Sequence, residues 1–442
     1  MTTERIDWIS HPAGPLGGEL TVPGDKSISH RAIMLAALAE GTSNIEGFLE
    51  GEDTRATAST FTDMGVRIEA PSASRRVVQG VGLHGLHAPR AALDCGNAGT
   101  GMRLLTGLLA GQAFDSTLSG DESLSKRPMR RVIEPLSAMG ATIESGAGGL
   151  PPLHISGGAN LRGIEYELPV ASAQVKSAIL LAGLYASGET EVREAHPTRD
   201  YTERMLAAFG WPIAFEPGRA RLSGGHRLRA TEVVVPSDFS SAAFFLVAAS
   251  IVPGSRLLLR AVGLNPRRTG LLQVLRLMGA DIREHAAREQ GGERVADLEV
   301  RHSPLHGIDV PVDFVPDMID EFPALFVAAS VAQGATRVSG AAELRVKESD
   351  RIAVMAQGLR RLGVAIDETP DGAAIHGGAV GGGDVDSRGD HRIAMGFAVA
   401  GLVARGAVRI ADCANVATSF PGFTELANGC GFALTANAPS MT

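Results

Sequence analysis

The stretch PGDKSISHRA (Pro23–Ala32) sets a lysine, two serines, a histidine and an arginine just ahead of the apolar run IMLAALAEG. Similar groupings recur along the chain. GNAGTGMR (Gly96–Arg103) sets Asn97 among three glycines, Gly96, Gly99 and Gly101. SLSKRPMRR packs Lys126, Arg127, Arg130 and Arg131 around a proline, ASAQVKSA carries Ser172, Ala173 and Gln174, and TRDYTERM carries Arg199. PDMIDEFP offers Asp317, Asp320 and Glu321; ELRVKESDRIAVM offers Lys347, Glu348 and Arg351; GDHRIAM adds Arg392. Guanidinium forks take phosphates and carboxylates. Glycines let backbone N–H groups come close to a ligand, and isolated carboxylates move protons. The set suits a substrate bearing phosphate and carboxylate groups and an acid/base step.

Each grouping also has a plain structural reading. Ser, Asp and Asn ahead of a helix can simply cap it, and the Lys126–Arg131 stretch can be a solvated basic turn. Lys347 and Arg351 are four apart, which predicts one helical face with Glu348 beside them, paired among themselves. Capping does not account for Lys26, Arg31 or Arg392, because a cation is unfavourable at a helix N-terminus. These three are expected to face an anionic ligand.

The positioning elements follow from an internal repeat. TDMGVRIE, SAMGATIE, AAFGWPIAFE, RLMGADIRE, RRLGVAIDE and NGCGFALT each read as a helix end, a glycine, then alternating apolar residues. Their glycines (Gly65, Gly140, Gly210, Gly279, Gly363, Gly431) fall 68 to 84 residues apart. A glycine in left-handed conformation closes a helix, and the alternation after it is a strand. Between these marks lie six Ala- and Leu-rich helices, apolar almost all round and therefore buried. Each begins with polar residues: Lys26 and Ser27, Asn97, Ser172 and Gln174, Asp238 and Ser240, Asp320, and Asp390 with Arg392. If several such starts meet at one cleft, their N–H groups form an anion site. Three repeats per core give an α/β protein of two domains. The midpoint falls near Val235 with no Gly/Ser linker, and the opening strand GGELTVPG could pair with the far half.

Bulk properties exclude several classes. The chain has 442 residues and a net charge of −8, with pI about 5.9. A general nucleic-acid or acidic-membrane binder is not expected. The three cysteines are few and odd in number, so a disulfide framework is not expected and a reducing cytoplasm fits. MTTERIDWIS lacks a basic start followed by an apolar core, so no signal peptide is expected. Apolar runs are shorter than the roughly 20 residues of a membrane helix. GVGLHG (Gly80–Gly85) is not followed by a helix, PGDKS breaks the P-loop pattern at Asp25, and no metal-ligand spacing occurs among the histidines and cysteines.

Taken together, PGDKSISHRA, GNAGTGMR, KRPM, ASAQVKSA, TRDYTERM, DEFP, ELRVKESDR, DHRIAM and TSFPGF resemble the 5-enolpyruvylshikimate-3-phosphate (EPSP) synthase family. They run in that family's order from Leu20 to about Phe423. The resemblance implies two domains, each of three βαβαββ repeats, with residues 23–235 inserted into a discontinuous domain of 1–22 and 236–442, and an active site in the interdomain cleft. It implies a transferase that moves the enolpyruvyl group of phosphoenolpyruvate to the 5-hydroxyl of shikimate-3-phosphate in aromatic amino-acid biosynthesis. No cofactor or metal is implied, and a cytoplasmic monomer that binds neither nucleic acid nor membrane is expected. Carried onto this chain, Lys26, Ser27, Arg31, Ser172, Ala173, Gln174, Arg199, Asp320 and Lys347 would bind shikimate-3-phosphate. Lys26, Asn97, Gly99, Arg127, Gln174, Arg351 and Arg392 would bind phosphoenolpyruvate. Asp320 would take the hydroxyl proton, and Glu348 or Lys26 would protonate phosphoenolpyruvate.

Two departures stand out. Many family members have a second serine where Ala173 stands, and a lysine where Thr418 stands. SAQVKSAILLAG, IDEFP and TSFP resemble the class that includes glyphosate-tolerant members, yet residue 99 is glycine, without the methyl that shortens the pocket, and Leu104 replaces a proline of many sensitive members. The local feature predicts glyphosate inhibition competitive with phosphoenolpyruvate. The rival readings are the sister transferase acting on UDP-N-acetylglucosamine, which usually has a cysteine in the loop matching GDESLSKRPMRR, and a non-catalytic phosphate-ligand binder.

Overall fold

The structure is a computed structural model that describes residues 6–437; the first five residues of the opening segment judged above for a signal peptide lie outside the described residues. Twelve α-helices occur among the described residues: α1 (Lys26–Leu38), α2 (Glu52–Asp63), α3 (Gly99–Leu109), α4 (Arg130–Ala138), α5 (Ala173–Gly183), α6 (Tyr201–Ala208), α7 (Phe239–Ile251), α8 (Gly270–Leu277), α9 (Phe322–Val331), α10 (Arg351–Arg361), α11 (His391–Gly401) and α12 (Phe423–Gly429). The odd-numbered helices are the apolar ones. All thirteen residues of α7 (FSSAAFFLVAASI) are buried, as an all-round apolar surface requires. The even-numbered helices are one-sided; α4 buries Val132, Pro135 and Leu136 and leaves its arginines outward.

Each even-numbered helix ends at a predicted glycine. Gly65, Gly140, Gly210, Gly279, Gly363 and Gly431 have φ of 92, 106, 80, 98, 82 and 111°, a region that a Cβ makes costly. Each is followed within three residues by a strand.

One repeat shows the four-stranded pattern that five of the six sheets share. Strands Glu165–Leu168, Glu189–Glu194, Arg219–Ser223 and Ile213–Glu216 lie in that order in one sheet. The first pair is parallel, spanned by α5, and the others are antiparallel, with Val192 opposite both Tyr166 and Ala220. Chain order is therefore βαβαββ. Three repeats borrow a strand from elsewhere in the sequence. Glu232–Val234 pairs in parallel with Glu40–Glu46, and Gly17–Leu20 with Arg256–Gly263. Asp7–His11 sits between Val408–Ala411 and Ala433–Asn437. The fifth repeat has a three-stranded sheet, with parallel bridges His306–Gln333 and Asp309–Arg337 where its first strand would stand.

The chain forms two compact units. One takes Gly24–Val235 and Glu289–Glu293; the other takes Met1–Pro23, Pro236–Arg288 and Arg294–Thr442. In the first, α1, α3 and α5 pack together under the sheets. α3 and α5 approach so closely that a Cβ on Gly107 would lie 2.1 Å from the carbonyl oxygen of Ala178. In the second, α7, α9 and α11 pack against one another around a separate core. Each trio of buried helices brings polar starts within hydrogen-bonding reach: Arg31 of α1 donates to Ser177 of α5, Gln174 of α5 to Thr100 of α3, and Ser240 of α7 to Glu321 at the start of α9. No helix is long and apolar enough to cross a membrane among the described residues.

Candidate active site

In the Gly24–Val235 unit the starts of α1, α3 and α5 share one network. Asp25 caps α1, its Oδ1 accepting from Ile28 N at 2.9 Å, while Tyr201 donates to its Oδ2. The next residue, Lys26, donates from Nζ to Asp53 Oδ2 at 2.6 Å; its side chain keeps 18% exposure against 6% for Asp53. Arg31 is buried, and it donates to Thr202 Oγ1, Ser27 O and Ser177 Oγ at 2.7–2.9 Å. Burial, and then Arg199 nearby, pull its guanidinium down to about 10. Gln174 accepts from Arg103 Nη1 at 2.8 Å and donates to Thr100 Oγ1 at 2.8 Å, tying α5 to α3. Ser172 caps α5, accepting from Val175 N at 3.4 Å.

α3 has no side-chain cap, because Ala98 precedes it. Beside its first turn, Arg127 donates to Asn97 Oδ1 at 2.7 Å and to Ser123 Oγ at 3.0 Å, and Asn97 donates to Asp121 at 2.7 Å. A Cβ at Gly99 would stand 3.1 Å from Arg103 Nη1 and 3.2 Å from Arg127 Nη1. The bare backbone at 99 thus lies between two guanidinium groups, a setting for a small anion. Beneath this surface His30 is wholly buried; its Nδ1 meets Thr57 Oγ1 at 2.8 Å. Burial, with Lys26 and Arg31 adding to it, holds its imidazole well below the usual range.

In the other unit the starts of α9, α10 and α11 meet around Arg351. Its side chain is 1% exposed. Nε donates to Asp390 Oδ2 at 2.8 Å, Nη2 to Glu348 Oε2 at 2.6 Å, and Nη1 to Asp320 Oδ1 at 3.5 Å. Burial alone would lower its basicity, but Asp390, Glu348 and Asp320 outweigh burial and raise it. Asp390 also caps α11 through Arg392 N. Asp320 Oδ2 accepts from Arg268 Nη1 at 2.9 Å. Glu321, buried at the start of α9, bonds Ser240 Oγ and lies 3.9 Å from Arg392 Nη1; burial raises its carboxyl. Lys347 is half-buried. Burial lowers its ammonium, with Asp320 and Glu343 opposing that shift.

Thus Lys26, Ser27, Arg31, Asn97, Gly99, Arg127, Ser172, Ala173, Gln174 and Arg199 belong to one unit, and Asp320, Lys347, Glu348, Arg351 and Arg392 to the other. Two readings need correction. Lys347 and Arg351 do not share a helical face: Asp350 caps α10, whose first residue is Arg351, and Lys347 is extended at φ −80°, ψ −152°. The N-cap carboxylate stops the helix short of the lysine. Second, cations at the helix starts do not by themselves require an anionic ligand, because Lys26 and Arg31 have protein partners in Asp53, Thr202 and Ser177. The sequence reading passed over Asp53, Arg103, Lys176 and Arg268. Arg103 closes the quoted GNAGTGMR and Lys176 lies in the quoted ASAQVKSA, so both were visible there; nothing in the sequence pairs Asp53 with Lys26 or Arg268 with Asp320. No group of three or more His, Cys, Asp or Glu placed to hold a metal ion occurs among the described residues.

Repeats built on two trios of buried helices, with Lys26 against Asp53 at one set of helix starts and Arg351 against Asp390 at the other, have the architecture expected of an enolpyruvyl transferase. Residues 11–426 match the model of the family EPSP synthase (3-phosphoshikimate 1-carboxyvinyltransferase), and the chain belongs to that family. A 3-phosphoshikimate 1-carboxyvinyltransferase of Xanthomonas euvesicatoria pv. vesicatoria (strain 85-10) is 68% identical over 98% of this chain and 99% of its own length. A protein of the same name from Xanthomonas campestris pv. campestris (strain B100) is 67% identical over 99% of this chain and 100% of its own. Among solved structures, EPSP synthase from Acinetobacter baumannii superposes with a TM-score of 0.89 at 52% identity, covering 98% of this chain and 100% of that one.

Proposed function

We propose that this chain transfers the enolpyruvyl group of phosphoenolpyruvate to the 5-hydroxyl of shikimate-3-phosphate and releases phosphate. The family match over residues 11–426 carries the reading. Arg31, Ser172, Gln174 and Arg199 take the phosphate and ring of shikimate-3-phosphate, with Ser27 and Ala173 lining the same start. Lys347 and Asp320 meet its hydroxyls. Asn97 and Gly99 with Arg127, Arg351 and Arg392 take the phosphate and carboxylate of phosphoenolpyruvate, since planar forks suit both groups.

In the addition, the 5-hydroxyl oxygen bonds to C2 of phosphoenolpyruvate while its proton passes to Asp320. C3 gains a proton from Glu348 or Lys26, giving a tetrahedral adduct with a methyl group. In the elimination, the C2–O bond to phosphate breaks and the methyl returns a proton to the group that supplied it, Glu348 or Lys26, restoring the double bond. Arginine side chains stabilise the charge on the departing phosphate. The residues need no cofactor for either step. The chain acts as a monomer in the cytoplasm; its three cysteines are buried and free, which fits a reducing compartment.

The sister reaction on UDP-N-acetylglucosamine is disfavoured by the thiols. The Gly120–Arg131 segment holds no cysteine. Burial pushes the Cys95 thiol up to about 12 and that of Cys430 up to about 11, far from a ready acid or nucleophile. A phosphate-release assay with phosphoenolpyruvate and either acceptor tests the assignment. Turnover with shikimate-3-phosphate alone is expected; turnover with UDP-N-acetylglucosamine alone overturns it, and binding without turnover favours the non-catalytic binder.

A further inference from the structure

Lys176, on the buried side of α5, is 4% exposed in its side chain and pairs with two buried carboxylates, Glu194 and Glu203, each at 2.8 Å. The ammonium also donates to the carbonyl oxygen of Thr198 at 3.4 Å. Glu194 accepts from Thr198 N at 3.2 Å, and its other oxygen accepts from the Thr198 hydroxyl. All three polar groups of Thr198 are therefore held by two side chains, and the residue after it is Arg199. The segment 195–200 otherwise has no regular structure to fix it.

The arrangement is electrostatically matched as well. Burial opposes the charge of Lys176, but Glu203 and Glu194 more than compensate and raise its basicity. Glu203 also supports Arg31, on which Arg199 bears with the opposite sign. A buried ammonium between two carboxylates adds little net stability compared with well-packed apolar residues. What it supplies is geometry: one side chain joins α5, the end of strand Glu189–Glu194, α6 and the loop that carries Arg199.

We infer that Lys176 is a positioning residue for shikimate-3-phosphate, acting through Glu194 and Thr198 to hold Arg199 where the substrate phosphate binds. The inference rests on the reading that Arg199 binds that phosphate. It assigns Lys176 a specific effect on one substrate, not a general effect on the fold.

A double-mutant cycle separates the two claims. Arg199→Ala alone is expected to raise the KM for shikimate-3-phosphate; no change there overturns the role of Arg199. Lys176→Met is expected to raise the same KM by about tenfold, the scale of coupling between linked residues, with kcat and the KM for phosphoenolpyruvate little changed. In the Arg199→Ala background, Lys176→Met should add no further rise. Equal rises in both substrates' KM, or a full additional rise in the double variant, overturn the inference while leaving Arg199 in place. Lys176→Met leaves two buried carboxylates without their cation, so Thr198→Val, which removes only the hydroxyl bond to Glu194, serves if that variant does not fold. It should show the same substrate-selective rise, and a wild-type KM for shikimate-3-phosphate in folded Thr198→Val overturns the proposal. Lys176→Arg, which keeps the charge, is expected to restore part of the lost affinity.

Discussion

Lys26 Nζ sits 2.6 Å from Asp53 Oδ2, so the cation that opens α1 is held from the first turn of α2. A lysine at a helix N-terminus is repelled by the backbone dipole, and Asp53 offsets that repulsion while fixing where the ammonium points. Asp53→Asn keeps the shape and removes the charge. It is expected to lower kcat/KM by about tenfold or more, the scale of one hydrogen bond to a charged group. Steady-state kinetics with both substrates decide it; wild-type kcat/KM would leave Asp53 a bystander.

Asp320 bonds Arg268 through one oxygen and lies 3.5 Å from Arg351 through the other. Asp320→Asn retains the shape of the group and cannot accept the hydroxyl proton. Turnover is expected to fall about 100-fold or more, with binding of shikimate-3-phosphate by calorimetry nearly unchanged. Unaltered turnover would remove Asp320 from the mechanism.

Gly99 lies between the guanidinium groups of Arg103 and Arg127, each within 3.2 Å of where a Cβ would be. A methyl there must push one of them aside by a few tenths of an ångström. Glyphosate is expected to inhibit the wild type competitively with phosphoenolpyruvate. Gly99→Ala should raise its inhibition constant much more than the phosphoenolpyruvate KM, but that KM should also rise, because Arg127 moves. Inhibition curves at several phosphoenolpyruvate concentrations test both parts. A wild type already indifferent to glyphosate would show that something other than residue 99 closes the pocket.

Two glycines should fail for different reasons. Gly363 has φ 82° and open space around it, so Gly363→Ala costs only the left-handed backbone, about 1 kcal/mol. Gly107 has ordinary helical geometry, but a Cβ would meet the Ala178 carbonyl oxygen at 2.1 Å. Forcing α3 and α5 apart is expected to cost more, about 1–3 kcal/mol. Thermal unfolding should rank Gly107→Ala below Gly363→Ala.

His30 makes acid stability measurable. Its folded imidazole titrates well below the usual 6.5 because burial, Lys26 and Arg31 disfavour the cation. Between that lowered value and 6.5 the unfolded chain binds the extra proton. Stability therefore rises with pH across this window and is lost as pH falls through it. His30→Gln should flatten that part of the profile in denaturant titrations between about pH 5 and 7; an unchanged slope would mean another group sets it.

The repeat was legible in the sequence because its marks are local. A helix that ends in left-handed glycine, followed by alternation, needs only backbone sterics and period, and all six glycines have positive φ. The apolar helices were equally plain, since a helix with no polar face has to be buried. Most residues of the two clusters could be named because polar side chains at the starts of apolar helices stand out. Their partners could not. Lys26 meets Asp53 across 27 residues, Arg268 meets Asp320 across 52, and Gly17–Leu20 joins a strand that begins at Arg256. Such pairings depend on which helix packs on which, and nothing in the neighbouring residues encodes them. Even the four-residue spacing of Lys347 and Arg351 misled, because the Asp350 cap, bonding Ala353 N, ended the helix between them. Sequence determined which elements form and which residues gather at their ends. Tertiary packing decided which charge each of those residues faces, because buried cations and carboxylates must find one another across the fold.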